Sequence, residues 1–197
     1  MRPILAILVL LFGAVPAWAD PAPGADRPSV AITGGAVGQA LPDIALDQPG
    51  RELRLSGLPG RWLLVESFSM YCPHCQAAAG DVNELSRLLA LRAADLDAVG
   101  GATLVGLGAD NSRYEVDYFQ KHYAVPFALY PDLDMTFYNA LGAPGTPSFA
   151  LVEKTGQGLV LRALHAGPFE RPAELLDEWL GLMGAPGASP GPGEVTP

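Results

Sequence analysis

A short apolar run leads into a pair of cysteines, and together they restrict how this chain can fold. Residues 62–68 are mainly apolar, which is typical of a buried strand, and Cys72 and Cys75 follow almost at once. The chain contains no other cysteine. Three kinds of site use two cysteines at this spacing: a metal site, a haem attachment site and a redox pair.

Neither a metal site nor a haem site fits the residues around the pair. A structural zinc site needs four ligands, and His74 lies inside the motif, where it cannot easily close a tetrahedron with its neighbours. Haem attachment requires a histidine directly after the second cysteine, where this chain has Gln76. A purely structural disulfide across so small a loop would stabilise the fold very little. The pair is therefore interpreted as a redox centre.

The position of the two thiols favours different roles for them. Cys72 follows a strand and opens a predicted helix, where unpaired backbone N–H groups and the helix dipole lower a thiol pKa. Pro73 rigidifies the first turn without wasting a donor, and His74 adds a partial positive charge or an N–H donor. Cys75, one turn further along, is the predicted resolving thiol. A stabilised thiolate leaves readily, which makes the disulfide form a stronger oxidant.

The first nineteen residues have the layout of a secretory signal peptide. Arg2 precedes an apolar run from Ile4 to Val15, and an Ala-x-Ala pattern ends at Ala19. The run is too short to span a hydrocarbon core of ~30 Å comfortably. We therefore expect residues 1–19 to be cleaved after Ala19 rather than kept as an anchor, and the mature protein to be periplasmic or otherwise exported, with no stable membrane insertion.

Composition divides the remainder into three parts. Residues 20–36 are rich in Pro, Gly and Ala and are predicted to be a linker, and residues 184–197 are predicted to be a disordered tail. Residues 37–183 form the predicted domain. The net charge of −9, with only 12 scattered Lys and Arg, excludes a basic nucleic-acid footprint.

Strand and helix patterns alternate through the domain. Residues 41–55 alternate apolar and polar on both sides of Pro49-Gly50, which predicts a hairpin. The pattern predicts further strands at 62–68, 102–107, 127–130, 148–153 and 159–165, and helices at 75–96, 112–122, 134–141 and 172–183. This order predicts an α/β sandwich, a central mixed sheet with helices on both faces.

These motifs together resemble the thioredoxin superfamily. The resemblance rests on the strand, the Cys-x-x-Cys at a helix start, and the Gly-Thr-Pro of residues 145–147 before a later strand, and it covers about 37–183. It implies a thioredoxin-like three-layer sandwich with an N-terminal β-hairpin extension. The segments 41–43 and 55–60 are similar to the periplasmic TlpA/ResA branch, whereas Cys-Pro-His-Cys after a Glu-x-Phe-Ser strand looks like the disulfide oxidase DsbA.

The resemblance implies three further parts of the site. Glu66 matches a buried acid that accepts the proton of Cys75 through water. Because 102–110 contains no Lys to pair with it, its pKa should be raised by desolvation. Pro147 matches a cis-proline that faces the cysteines and exposes the backbone of Thr146 to an extended substrate. Phe68, Met70 and Tyr71 are a possible apolar rim, although core packing explains Phe68 equally well.

The resemblance implies a periplasmic thiol-disulfide oxidoreductase that exchanges disulfides with cysteine-containing substrate proteins. No diffusible cofactor and no metal is expected beyond the redox-active Cys72–Cys75 pair. The active-site sequence favours an oxidase, recharged by a quinone-linked membrane oxidase. The TlpA/ResA-like scaffold favours a reductase of apocytochrome c thiols or of a copper-site assembly protein, recharged by a thiol-reducing transporter.

Two rival functions remain open from the sequence. A thiol peroxidase would place Thr where this chain has Ser69, and Cys75 is out of that pattern. A copper chaperone similar to SCO proteins would use His165 as a ligand, but such proteins carry the longer Cys-x-x-x-Cys spacing.

Overall fold

A single mixed sheet organises the computed structural model, which describes residues 36–48, 50 and 52–186. The predicted signal peptide and residues 20–35 of the predicted linker lie outside the described residues. The strands are β1 Ala40–Leu41, β2 Ala45–Leu46, β3 Leu53–Arg54, β4 Trp62–Phe68, β5 Ala102–Ala109, β6 Ala128–Asp132, β7 Ser148–Thr155 and β8 Gly158–Ala166. The helices are α1 Pro73–Leu91, α2 Ala93–Ala98, α3 Arg113–His122, α4 Thr136–Ala140 and α5 Pro172–Met183.

The strand order of the main sheet is β1-β8-β7-β4-β5-β6. Strands β4, β5 and β6 are parallel, whereas β7 and β8 run antiparallel to their neighbours. The two parallel connections pass through helices, as parallel strands require. The predicted mixed sheet is confirmed, and β4, which ends just before the cysteines, occupies a central place in it.

Apolar side chains cover both faces of the sheet, which gives three layers. On one face, α1 and α5 pack with Leu64 and Leu151 around Trp179, which is fully buried. On the other face, α4 and the N-terminal segment pack against the alternate residues of the same strands. The predicted thioredoxin-like sandwich with helices on both faces is therefore confirmed.

The N-terminal hairpin forms, but it is small. Strands β2 and β3 pair Ala45 with Arg54 and Leu46 with Leu53. Strand β1, which precedes the hairpin, instead pairs with β8 and extends the main sheet. A single 3-10 turn over Leu55–Gly57 then leads towards β4.

Several predicted boundaries shift by one or two residues, and two differences change the description of the fold. The helix predicted at 75–96 begins earlier, at Pro73, and is interrupted at Arg92, whose N–H is shared between the carbonyls of Leu88 and Leu89. The apolar spacing continues through the break and does not reveal it. The domain also extends past residue 183, because the N–H of Ala185 donates to the carbonyl of Leu180 and its side chain is buried.

None of the helices in the described part of the chain is long and apolar enough to cross a membrane.

Candidate active site

Both cysteines lie where β4 gives way to α1. Cys72 is the N-cap of α1 and has extended backbone angles, and Pro73 occupies the first turn as predicted. The backbone N–H of Cys75 donates to the Cys72 sulfur at 3.4 Å. Both residues are free thiols in the structure. The helix start therefore holds the two sulfur-bearing residues one turn apart.

The surroundings of Cys72 favour its thiolate. Partial burial raises the pKa of Cys72, but hydrogen bonds lower it by more, so that the pKa lies below its ordinary value. The donors are the Thr146 side chain, the Cys75 backbone and thiol, and the backbone N–H of His74. As a thiol, Cys72 donates to the Thr146 carbonyl oxygen at 3.1 Å. Cys72 is also partly exposed, so a partner can reach it.

The surroundings of Cys75 favour its thiol. Its side chain is fully buried and packs with Phe68, Ala79 and Phe119. Burial strongly raises the pKa of Cys75, and its hydrogen bond to the Cys72 sulfur raises it further. The two cysteines thus differ in both access and ionisation, although they lie in one helical turn.

The loop before β7 lies beside the two cysteines, although it is more than 70 residues away in sequence. The peptide bond between Thr146 and Pro147 is cis, as predicted. The N–H of Gly145 donates to the hydroxyl of Tyr138 in α4, and the carbonyl of Pro147 accepts from the N–H of Gly167 after β8. These bonds place the Thr146 carbonyl and hydroxyl beside the cysteines.

Glu66 is buried in the centre of the sheet. Its exposed fraction is 3%, and desolvation raises its pKa to about 8. Its cross-strand neighbours are Gly106 in β5 and Phe149 in β7, so neither of these neighbours is a cation. Because alternate residues of a strand share a face, Glu66 lies on the same face as Phe68, which packs against Cys75.

The remaining predicted residues take different positions. The side chain of His74 is exposed, so the contact it makes with the Cys72 sulfur is through its backbone. Tyr71 is 65% exposed and its hydroxyl donates to the carboxylate of Glu115, whereas Phe68 is fully buried. The proposed rim therefore excludes Phe68, which belongs to the core.

His165 does not join the cysteines. Its ring packs with Phe149 and Phe169, at centroid distances of 6.3 and 6.2 Å. In the part of the chain that the structure describes, no three His, Cys, Asp or Glu side chains form a cluster that could hold a metal ion. The geometry gives no support to the copper-chaperone alternative.

Sequence reasoning missed Asn111 and Gln76. Asn111 is fully buried and its Oδ1 accepts the N–H of Met70 at 2.7 Å, while Nε2 of Gln76 donates to the Met70 carbonyl at 2.8 Å. Both fasten the loop that precedes Cys72. Asn111 directly precedes Ser112, the N-cap of α3, so its position in the sequence gave no indication of a contact with the loop before Cys72.

Comparison with known proteins assigns the family. The sequence pattern of the family described as Redoxin matches residues 36–177. This chain belongs to the redoxin family. Among curated proteins, the redoxin domain is 25% identical over 123 residues to the thiol-disulfide oxidoreductase ResA of Geobacillus thermodenitrificans. That match covers 62% of this chain and 66% of the ResA protein, just under two thirds of its length.

Solved structures agree on the fold of the redoxin domain. A Chlorobium tepidum protein described as the thiol:disulfide interchange protein DsbE superposes with a TM-score of 0.61 at 18% identity, over 76% of this chain and 99% of that one. A secreted thiol-disulfide isomerase from Corynebacterium glutamicum superposes with a TM-score of 0.56 at 20% identity, over 73% and 85%. The redoxin domain therefore has a thioredoxin-like fold.

Proposed function

We propose that this redoxin protein is a thiol-disulfide oxidoreductase that exchanges disulfides with cysteine-containing proteins. The observation that carries the proposal is the unequal pair at the start of α1. Cys72 is accessible with a lowered pKa, and the adjacent Cys75 is buried with a raised pKa. A reactive attacking thiol beside a protected resolving thiol is the arrangement that disulfide exchange needs. The relatives, which are named for thiol-disulfide exchange, support the same activity.

The exchange proceeds through a mixed disulfide. In the reducing direction, the Cys72 thiolate attacks a substrate disulfide, a sulfur–sulfur bond forms, and one substrate sulfur leaves as a thiolate. Cys75 then loses its proton and attacks the Cys72 sulfur, which releases the second substrate thiolate. The substrate gains two electrons and the protein becomes the Cys72–Cys75 disulfide. The oxidising direction is the reverse of these steps.

Glu66 is the proposed proton acceptor for Cys75. With a pKa of about 8, the ionised form of Glu66 is a stronger base than an ordinary Glu carboxylate, and the fraction that is ionised near neutral pH can accept a proton from a thiol. Its face of the sheet carries Phe68, the packing partner of Cys75. Transfer of the proton through water from Cys75 to Glu66 would form the resolving thiolate and neutralise the carboxylate, so that the core carries one negative charge before and after the step.

Thr146 and Pro147 are the proposed substrate platform. The cis bond precedes β7, and Thr146 contacts the Cys72 sulfur through its carbonyl oxygen. A substrate that pairs its backbone with this segment would bring its own sulfur to Cys72. Pro73 and His74 are exposed in the first turn of α1, directly after Cys72, where such a substrate would dock.

The protein could transfer electrons in either direction, and we propose the oxidase and the reductase as the two alternatives to be tested. The Cys-Pro-His-Cys sequence and the lowered pKa of Cys72 favour an oxidase, because a stable thiolate makes the disulfide a stronger oxidant. The match to ResA favours a reductase at least as well. As an exported protein it would be recharged by a membrane partner, a quinone-linked oxidase or a thiol-reducing transporter respectively. No diffusible cofactor enters either scheme.

The experiment is a redox equilibration of the purified protein with glutathione buffers, followed by mass spectrometry of the alkylated thiols. We expect the dithiol and disulfide forms to interconvert with a single midpoint. A midpoint reduction potential of about −270 mV, as reducing as that of thioredoxin, assigns the reductase. A midpoint potential of about −120 mV assigns the oxidase. A protein that never forms the Cys72–Cys75 disulfide contradicts the proposed function altogether.

A further inference from the structure

The loop between β4 and α1 is held from the side of α3. It runs through Ser69, Met70 and Tyr71 to Cys72, and the N–H of Cys72 donates to the Ser69 carbonyl at 3.1 Å. The N–H of Met70 donates to Oδ1 of Asn111 at 2.7 Å, the shortest link between this loop and the end of β5. The reactive cysteine lies two residues beyond that bond.

The side chain of Asn111 is itself fixed at both ends. Its Nδ2 donates to the carbonyl of Asp110 at 3.0 Å, which leaves Oδ1 to face Met70. Its exposed fraction is 0%, and its backbone N–H donates to the carbonyl of Gly108. A Cβ added to Gly108 would lie 3.0 Å from the Cβ of Asn111, so the strand end leaves just enough room for this residue.

The cap of α3 does not require Asn111. Ser112 accepts the N–H of Glu115 and the Glu115 carboxylate accepts the N–H of Ser112, which completes a capping box without help. The buried amide of Asn111 is therefore not needed to cap α3. It bonds instead to the loop before Cys72 and holds that loop in place. The same helix start provides a second link, because Tyr71 donates its hydroxyl proton to Glu115.

A bond from α1 completes the fastening of the loop. Nε2 of Gln76 donates to the carbonyl of Met70 at 2.8 Å, so both backbone polar groups of Met70 are bound to side chains. We propose that Asn111 is a positioning residue that, together with Gln76, fixes Met70 and thereby holds the Cys72 sulfur against the first turn of α1. This inference rests on the proposed function, in which Cys72 is the attacking thiol.

The test compares three alanine variants of the full, reduced protein. The rate of Cys72 alkylation by iodoacetamide is measured against pH, because this rate follows the thiolate fraction and its midpoint gives the pKa of Cys72 in each folded variant. Asn111→Ala should raise the pKa of Cys72 by about half a unit or more, which is about threefold less thiolate below the midpoint. Gln76→Ala should shift the pKa in the same direction.

Asn83→Ala is the matched control. Nδ2 of Asn83 donates to the carbonyl of Tyr123 at 3.0 Å, so this variant also loses an amide bond to backbone, but away from the loop. Its alkylation profile should match the wild type. A folded Asn111→Ala protein with the wild-type profile overturns the inference. If that variant does not fold, Gln76→Ala decides, since Gln76 is exposed and its loss leaves the core intact; an unchanged profile overturns the inference.

Failure of the proposed function gives a different result. A wild-type protein that does not form the Cys72–Cys75 disulfide with glutathione contradicts the exchange activity, whatever the alkylation profiles of the variants are. If the wild type exchanges disulfides and all three variants have the wild-type alkylation profile, only the positioning role of Asn111 is contradicted and the proposed function stands.

Discussion

At the scale of single residues, the two cysteines show how position in one helical turn separates identical side chains. The sulfur of Cys72 collects hydrogen bonds at an open helix end, whereas that of Cys75 is surrounded by apolar side chains. We expect Cys75→Ser to accumulate a mixed disulfide between Cys72 and a disulfide-containing peptide, because the resolving thiol is gone. Mass spectrometry of the trapped species measures this. Trapping by Cys72→Ser instead would reverse the assigned roles.

A second residue-scale prediction concerns Glu66. Glu66→Gln keeps the shape of the side chain but cannot accept a proton. We therefore expect it to slow the release of a mixed disulfide about 10²-fold, within the usual range for a lost general base, and to leave the formation of that disulfide unchanged. Rapid-quench kinetics with a disulfide peptide separates the two steps. Equal slowing of both steps would show that Glu66 does not act on Cys75.

At the scale of elements, a glycine in β5 lets neighbouring side chains pack closely against the strand beside Glu66. Gly106 lies opposite Glu66, and a Cβ at this position would meet a side-chain atom of Leu129 at 2.3 Å and Phe68 at 3.3 Å. We expect Gly106→Ala to destabilise the protein by about 1–3 kcal/mol through overpacking. Urea unfolding measures the change.

The control for that substitution is a glycine with free space. Gly80 is exposed on α1, and nothing lies within 4 Å of an added Cβ. Gly80→Ala should therefore stabilise the protein by roughly 0.5–1 kcal/mol, because alanine is the better helix former. Equal effects of the two substitutions would contradict the close approach of Leu129 to β5.

At the scale of the whole molecule, the buried Glu66 couples stability to pH. Its pKa is about 8 in the folded protein against 4.5 for an ordinary Glu, so the folded state holds a proton that the unfolded state has lost between these values. The free energy of unfolding should therefore fall as pH rises from about 4.5 to about 8, by an amount on the order of a few kcal/mol.

Urea midpoints of the reduced wild type and of Glu66→Gln across this pH range check the prediction. The free energy of unfolding of the variant should not fall over this range, because Gln has no proton to release. The variant should therefore be the more stable protein at pH 8. Cys72 also titrates with a lowered pKa, which adds stability towards high pH, but this contribution is common to both proteins and cancels in the comparison. Parallel curves would contradict the raised pKa of Glu66.

Most of the architecture could be predicted because secondary structure leaves local patterns. Strand β4 and helix α5 have the predicted bounds, and α3 begins after its N-cap Ser112, one residue from the predicted start. The break at Arg92 and the packing of Ala185 were missed, since neither changes the periodicity of apolar residues around it.

Sequence patterns predict the first turn of α1 and its thiols: Cys72 at a helix start, Pro73 in the first turn and Cys75 one turn on. Caps and the helix dipole act within a single turn, so neighbours in sequence suffice to predict them. The other contacts of the site depend on tertiary packing. The contact of Cys72 with Thr146 spans 74 residues and that of Met70 with Asn111 spans 41. Burial and long-range hydrogen bonds depend on which segments pack together, and no local pattern encodes that choice.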